Sequence, residues 1–145
     1  MELYDFIEQS REDLIRDLQG CIQIPSVEAR DGSGYPYGEQ VHRCLHYMLG
    51  TAEKLGFPVG NMDEQVGWCE YGDEDEMIAV LCHLDVVPEG DGWTVPPYEG
   101  RVADGRIYGR GSMDDKGPAL CALYALKAVR DAGLPLRRRV RILFG

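Results

Sequence analysis

Two pairs of polar residues in this sequence have the types and the spacing expected of a metal or catalytic site. His83 and Asp85 directly follow Met77–Cys82, a continuous apolar run that predicts a strand buried on both faces. Residues two apart in extended chain point to the same side, so the His83 imidazole could bind a metal ion while Asp85 orients it. Taken alone, however, a His-x-Asp pattern is more often structural than metal-binding.

The second pair, Asp114 and Asp115, follows the glycine-rich turn Gly-Arg-Gly-Ser at 109–112 and stands at the start of a predicted helix. A carboxylate there can cap the helix, which contributes about 1 kcal/mol and would explain one of the two residues. A carboxylate can also bridge two metal ions about 3.5–4 Å apart. The pair alone favours the cap and leaves the bridging role open.

The combination of the two pairs is more specific than either one. They lie about thirty residues apart, with the turn-rich segment 91–98 and its Trp93 between them. Three motifs resemble the zinc-dependent aminoacylase, ArgE/DapE and PepV-type dipeptidase family of co-catalytic metallopeptidases: His-Leu-Asp-Val-Val-Pro at 83–88, Gly-Asp-Gly-Trp at 90–93, and Gly-Arg-Gly-Ser-Met-Asp-Asp-Lys-Gly-Pro at 109–118. Segments 36–39, 52–57 and 61–63 resemble the PepV-type dipeptidase branch rather than the deacylases.

The resemblance implies a role for each site residue. His83 would ligate one zinc ion, Asp114 would bridge two, and Asp85 would be the catalytic carboxylate beside His83, with a cis peptide between Asp114 and Asp115. The general-base Glu, a neighbouring Glu ligand, and the later Asp and His ligands would lie beyond Gly145. We therefore expect residues 1–145 to form the N-terminal part of a metallopeptidase catalytic domain, without its lid domain and C-terminal part.

The implied activity is zinc-dependent hydrolysis of the amide bond of dipeptides or short peptides, with two zinc ions in the complete site. Because zinc normally takes four ligands, we expect weak metal binding and no turnover from this chain alone. Two alternatives stay open: an N-acyl-amino-acid deacylase of the same family, and a non-catalytic fragment that associates with a second polypeptide.

Composition excludes several other classes of function. The formal net charge of -10 opposes binding to nucleic acids or anionic membranes. Charged residues interrupt residues 1–18, so no signal peptide or membrane span is expected there. The five cysteines include no Cys-x-x-Cys pair, which favours reduced thiols and a cytoplasmic location. Homo-oligomerisation or association with the missing C-terminal part stays open.

The pattern of elements predicts an α/β fold. We expect a helix over residues 3–20, a loop over 24–38, a helix over 39–55, β-type runs within 59–71, and a hairpin at Asp104-Gly105. A helix from Asp114 or Asp115 to about Ala132 and a strand over 140–144 follow. Their alternation favours a layered α/β/α domain, incomplete here, with a mixed and largely parallel central sheet.

Two further patterns in the sequence do not favour a functional site. His42 and His46 lie four residues apart on the second helix and could share a metal ion, but Arg43 stands where zincins carry a Glu. Cys82 precedes His83, yet a cysteine that ends an apolar strand is more often an inert small hydrophobe than a nucleophile.

Overall fold

The computed structural model describes residues 2–145. Its helices and strands follow the chain as α1 (Leu3–Gln9), α2 (Arg11–Ile22), α3 (Glu39–Lys54), β1 (Val59–Met62), β2 (Val66–Tyr71), β3 (Met77–Cys82), β4 (Arg101–Ala103), β5 (Arg106–Tyr108), α4 (Lys116–Asp131) and β6 (Arg139–Phe144). The predicted elements are confirmed from residue 24 onward, including the hairpin at Asp104 and Gly105, which both have positive φ.

The first predicted helix is wrong in two respects. It is two helices, because the chain turns at Ser10, which follows the C-terminus of α1 and precedes the N-terminus of α2. It also continues past Gly20 to Ile22. Gly20 lies within the helix rather than at its end, because the packing leaves no room for a side chain there. A Cβ at this position would lie 2.1 Å from the Tyr47 hydroxyl oxygen.

The four-stranded sheet has the order β1-β2-β6-β3 and is mixed. The β1–β2 and β2–β6 pairs are antiparallel and only β3–β6 is parallel, so the expectation of a largely parallel sheet is wrong for the described residues. Connection length accounts for the directions of two of these pairs. A short turn joins β1 to β2 and permits only antiparallel pairing, whereas the long connection through α4 allows β3 and β6 to run parallel.

Helices cover one face of this sheet. Cys69 of β2 and Phe144 of β6 share a buried cluster with Met48 of α3 and Leu123 of α4. On β3, by contrast, the side chains of Met77 and Leu81 are 42% and 78% exposed. The described residues thus form two of the three layers expected of a complete domain. The expectation that β3 is buried on both faces is wrong for this chain, because no described element covers its outer side.

Candidate metal centre

The end of β3 places His83 and Asp85 on the same outward-facing side, as the alternation of extended chain predicts. Leu84 and Val86, which alternate with them, are buried. The hydroxyl of Ser26 donates to the Leu84 carbonyl at 2.6 Å, and the Val86 N–H donates to the Ser26 carbonyl at 2.9 Å. The predicted loop after α2 therefore fixes the backbone that carries His83 and Asp85.

His83 and Asp114 meet in the structure. The Nε2 atom of His83 lies 2.8 Å from Oδ1 of Asp114. On the other side of the ring, Nδ1 lies 3.0 Å from the Asp85 carbonyl oxygen and 3.2 Å from its Oδ1. An Nδ1–H donated to Asp85 fixes the ring and directs Nε2 toward Asp114, which is the arrangement by which carboxylates orient metal-binding histidines.

Asp115 has a contact that the sequence did not predict. It stands at the N-cap position of α4, but its side chain makes no capping hydrogen bond. Instead, the His83 backbone N–H donates to Asp115 Oδ2 at 3.1 Å. The peptide between Asp114 and Asp115 is cis, as the resemblance implied. Asp115 thus ties the start of α4 to the end of β3, while Asp114 is left to face the His83 ring.

Lys116, the next residue, was also missed. Its side chain is fully buried, and its ammonium group donates to the Cys21 carbonyl at 2.9 Å and to the Ile24 carbonyl at 2.7 Å. These carbonyls lie at the C-terminal end of α2, where the helix dipole favours a cation. Only the position of Lys116 directly after the two aspartates could have signalled this role. The lysine anchors the start of α4, and with it Asp114, to the core.

The site is negatively charged and open to solvent. The side chains of His83, Asp85 and Asp114 are 47%, 48% and 85% exposed, so no apolar packing closes them off. Burial lowers the pKa of His83, but the hydrogen bond to Asp114, the Asp85 carbonyl and the nearby carboxylates outweigh it, and the net pKa is raised. Three carboxylates around one imidazole make this region attractive to a cation.

A cavity adjoins the centre and could accept a small ligand. It has a volume of about 230 Å³ and reaches Asp85, with Tyr37 and Val41 on one side and Val66 of β2 on another. Its walls come from the loop after α2, from α3 and from the sheet. Asp85, beside the candidate ligand His83, therefore borders a partly apolar recess rather than a flat surface.

Sequence comparison identifies the family. Residues 79–145 match the sequence model of Peptidase family M20/M25/M40. YtjP of Bacillus subtilis (strain 168), a protein whose name proposes dipeptidase activity, is 50% identical over 139 residues. By these matches the chain is similar in sequence to members of the M20 peptidase family. The resemblance drawn from the three motifs is thereby confirmed, although the chain spans only about 30% of YtjP while YtjP matches 94% of the chain.

Solved structures show the same fold. Human carnosine dipeptidase 1 superposes with a TM-score of 0.81 at 24% identity, over 98% of this chain and 33% of that one. An M20 family metallo-carboxypeptidase from Sulfolobus solfataricus, Sso-CP2, has a TM-score of 0.75 at 26% identity, over 90% of this chain and 30% of that one. The α/β class predicted from the sequence is thus confirmed. In the described residues, no helix combines the length and apolar character needed to cross a membrane.

Proposed function

We propose that this chain supplies two zinc ligands, His83 and Asp114, to a metallopeptidase that hydrolyses the amide bond of dipeptides. The observation that carries the proposal is the 2.8 Å approach of His83 Nε2 to Asp114 Oδ1 at the end of the parallel strand β3. The two residues lie 31 positions apart in the sequence, so the fold rather than local spacing brings them together.

The donor atoms suit zinc. An imidazole nitrogen and a carboxylate oxygen are among its usual protein ligands. Asp85 contacts Nδ1 and so leaves Nε2 as the ligand atom, and Asp114 presents an exposed carboxylate on the other side. We propose Asp114 as the bridge between two ions, because its exposed side chain leaves both oxygens accessible.

In the reaction, the residues of this chain would bind the metal ions and orient the metal ligands. Bound zinc lowers the pKa of a water ligand towards 7 and polarises the scissile carbonyl group. His83 and Asp114 would hold the metal, and Asp85 would keep the imidazole in one tautomer and orientation. Asp115 and Lys116 would act as positioning residues, because they fix the start of α4 against β3 and α2.

We propose that the remaining ligands and the general base come from parts of a longer protein. Two ligands are fewer than the four that zinc normally takes, so the chain alone should bind zinc weakly at His83 and Asp114 and lack turnover. The exposed outer face of β3 fits this proposal, since Leu81 and Met77 offer an apolar surface that a second helical layer would cover. A lid domain would complete the substrate pocket.

Dipeptides are the proposed substrate class because YtjP, which is 50% identical to this chain over 139 residues, carries a name that proposes dipeptidase activity. The acidic net charge makes nucleic acid an unsuitable partner. All five cysteines are free in the structure, which supports the proposed cytoplasmic location.

A chimera tests the proposal directly. This chain would replace the matching 30% of YtjP, and the purified, zinc-loaded chimera would be assayed against a panel of dipeptides and N-acetyl amino acids, with YtjP as the positive control. We expect zinc-dependent dipeptide hydrolysis that is lost in Asp114→Asn and kept in Asp13→Asn, a matched change on the exposed side of α2. Hydrolysis of acetylated amino acids alone would instead establish the deacylase. A folded chimera inactive on both panels would refute both functions.

A further inference from the structure

A second group of metal-binding side chains lies on α3 and the β1–β2 turn, outside the centre at His83. His42 and His46 are four residues apart on α3 and so project from the same side of the helix. Glu64, in the turn between β1 and β2, reaches both rings: its Oε2 lies 3.0 Å from His42 Nδ1 and 2.6 Å from His46 Nε2. One ligand atom from each residue lies within 4.8 Å of the other two.

The ring of His42 is held in place by a stacking contact. Tyr35 stacks on it with ring centroids 3.6 Å apart and an interplanar angle of 7°. The buried Nδ1 atom of His42 forms no hydrogen bond within residues 2–145, although Glu64 Oε2 is only 3.0 Å away. A buried ring nitrogen left without a hydrogen bond, beside a carboxylate, is a candidate ligand atom that a cation would satisfy.

Glu64 is also held in place. Asn61 donates from Nδ2 to Glu64 Oε1 at 2.9 Å, and its Oδ1 accepts the Glu64 backbone N–H at 3.1 Å. This leaves Oε2 for the two histidines. Asp63 and Glu64 both have left-handed backbone, with φ of 53° and 58°, a conformation that glycine favours in such a turn. The turn thus has a glutamate at a position where glycine would adopt the backbone conformation with less strain, and the glutamate side chain points toward α3.

We propose that His42 Nδ1, His46 Nε2 and the Glu64 carboxylate together bind one zinc ion. Two imidazoles and one carboxylate, with a fourth position open to water, form a ligand set that zinc takes in proteins. The two imidazoles disfavour magnesium and calcium, which prefer oxygen ligands. With zinc–nitrogen distances of about 2.0–2.1 Å, ligands of one ion lie at most about 4.2 Å apart, so small side-chain movements would bring all three atoms within reach.

The ion would join the β1–β2 turn to α3 and stabilise the packing of these two elements. It would differ from the His83 centre because all three of its protein ligands belong to the described part of the chain. The proposal is therefore independent of the peptidase proposal, and this chain should bind one zinc ion more tightly here than at His83 and Asp114.

The zinc-free alternative is an ion pair between Glu64 and a protonated histidine. Nuclear magnetic resonance of the imidazole nitrogens separates the two, because the chain has only three histidines. With one equivalent of Zn²⁺ added to the 145-residue chain at pH 7.5, we expect the metal-bound signals to be Nδ1 of His42 and Nε2 of His46. Zinc that binds only at His83, or that changes no ring signal, would overturn the proposal.

Affinity measured by competition with a chromophoric chelator supplies the second test. We expect His42→Ala and Glu64→Gln each to weaken zinc binding at least tenfold. We expect His83→Ala to leave the affinity for the first equivalent of zinc unchanged. Glu64→Gln is a nearly isosteric change at a partly exposed turn residue, so it still tests the proposal if His42→Ala fails to fold. Equal affinity of the wild-type chain and Glu64→Gln would overturn the proposal.

Discussion

The two histidine clusters differ in what holds them. The His83 cluster stands on the core: Ser26 fixes the end of β3, and the buried Lys116 fixes the start of α4. It nevertheless supplies only two proposed ligands. The His42 cluster lies near the surface on a helix and a strained turn, yet it brings three ligand atoms together. Rigid support and a complete ligand set are thus separate properties. A catalytic centre whose ligands come from several parts of a protein needs rigid support from each of those parts.

The largest expected difference between the clusters is in catalysis. In the YtjP chimera, His83→Ala should reduce dipeptide hydrolysis below detection, because it removes a proposed metal ligand. His46→Ala should leave kcat/KM within about threefold, since none of the ligands proposed for its ion belongs to the His83 centre. Steady-state kinetics with saturating zinc measures both. Comparable losses in the two variants would mean that the clusters are not functionally distinct.

The next largest difference concerns the support of the His83 cluster. Lys116→Met should lower the free energy of unfolding of the chain by about 3 kcal/mol, because two backbone carbonyls in the core lose their charged donor. Lys127→Met, on the same helix, should cost less than about 1 kcal/mol, since the Lys127 ion pair with Asp131 is partly exposed. Urea denaturation of both variants checks this. A cost for Lys116→Met no larger than for Lys127→Met would show that the buried lysine does not anchor α4.

A stability measurement can sharpen the view of the second cluster. Zinc at about 100 times its dissociation constant should stabilise the chain by about 2.7 kcal/mol. Glu64→Gly should abolish this gain. Its effect without zinc should stay under about 1 kcal/mol, because glycine adopts the left-handed backbone freely, which offsets the one lost hydrogen bond from the Asn61 side chain. Thermal unfolding with zinc and with a chelator gives both values. Zinc stabilisation that persists in Glu64→Gly would place the ion elsewhere.

The two clusters also show what the sequence could and could not predict. His83 and Asp114 are proposed as ligands because each belongs to a local motif, and the end of a strand and the start of a helix can be predicted from nearby residues. The local pattern does not favour a metal site at His42 and His46, because Arg43 stands where a zincin would carry a Glu. Glu64 becomes a neighbour only through the packing of the β1–β2 turn on α3, which no local pattern encodes.

The same limit applies to the fold. Helix α3 and the Asp104-Gly105 hairpin follow from periodicity and turn residues, so their positions were correct. The apolar run Met77–Cys82 was correctly predicted as a strand, but its burial depends on what covers the sheet, and its outer face is exposed in this chain. Burial and strand order depend on how distant segments pack, which explains why the expected burial of this strand on both faces and the largely parallel sheet were wrong.

The smallest expected effect tests how the second cluster is positioned. Asp31 accepts the backbone N–H of Ser33 and that of Glu39 at the start of α3, and so fixes the loop that carries Tyr35 onto His42. Hydrogen bonds from Ser33 and from the Glu39 backbone lower the pKa of Asp31 to about 2. The contribution of a carboxylate with a lowered pKa is present above its ordinary pKa of about 3.9 and is lost as the pH falls through the folded value.

Asp31→Asn should therefore destabilise the chain slightly at pH 7, and the difference from the wild-type chain should diminish between about pH 4 and pH 2. Urea denaturation at a series of pH values measures this difference. Asp104→Asn, in the β4–β5 turn, is a matched control that should show no such trend. A difference for Asp31→Asn that stays constant from pH 7 to pH 2 would mean that the carboxylate charge does not hold the loop, and that Tyr35 positions His42 without it.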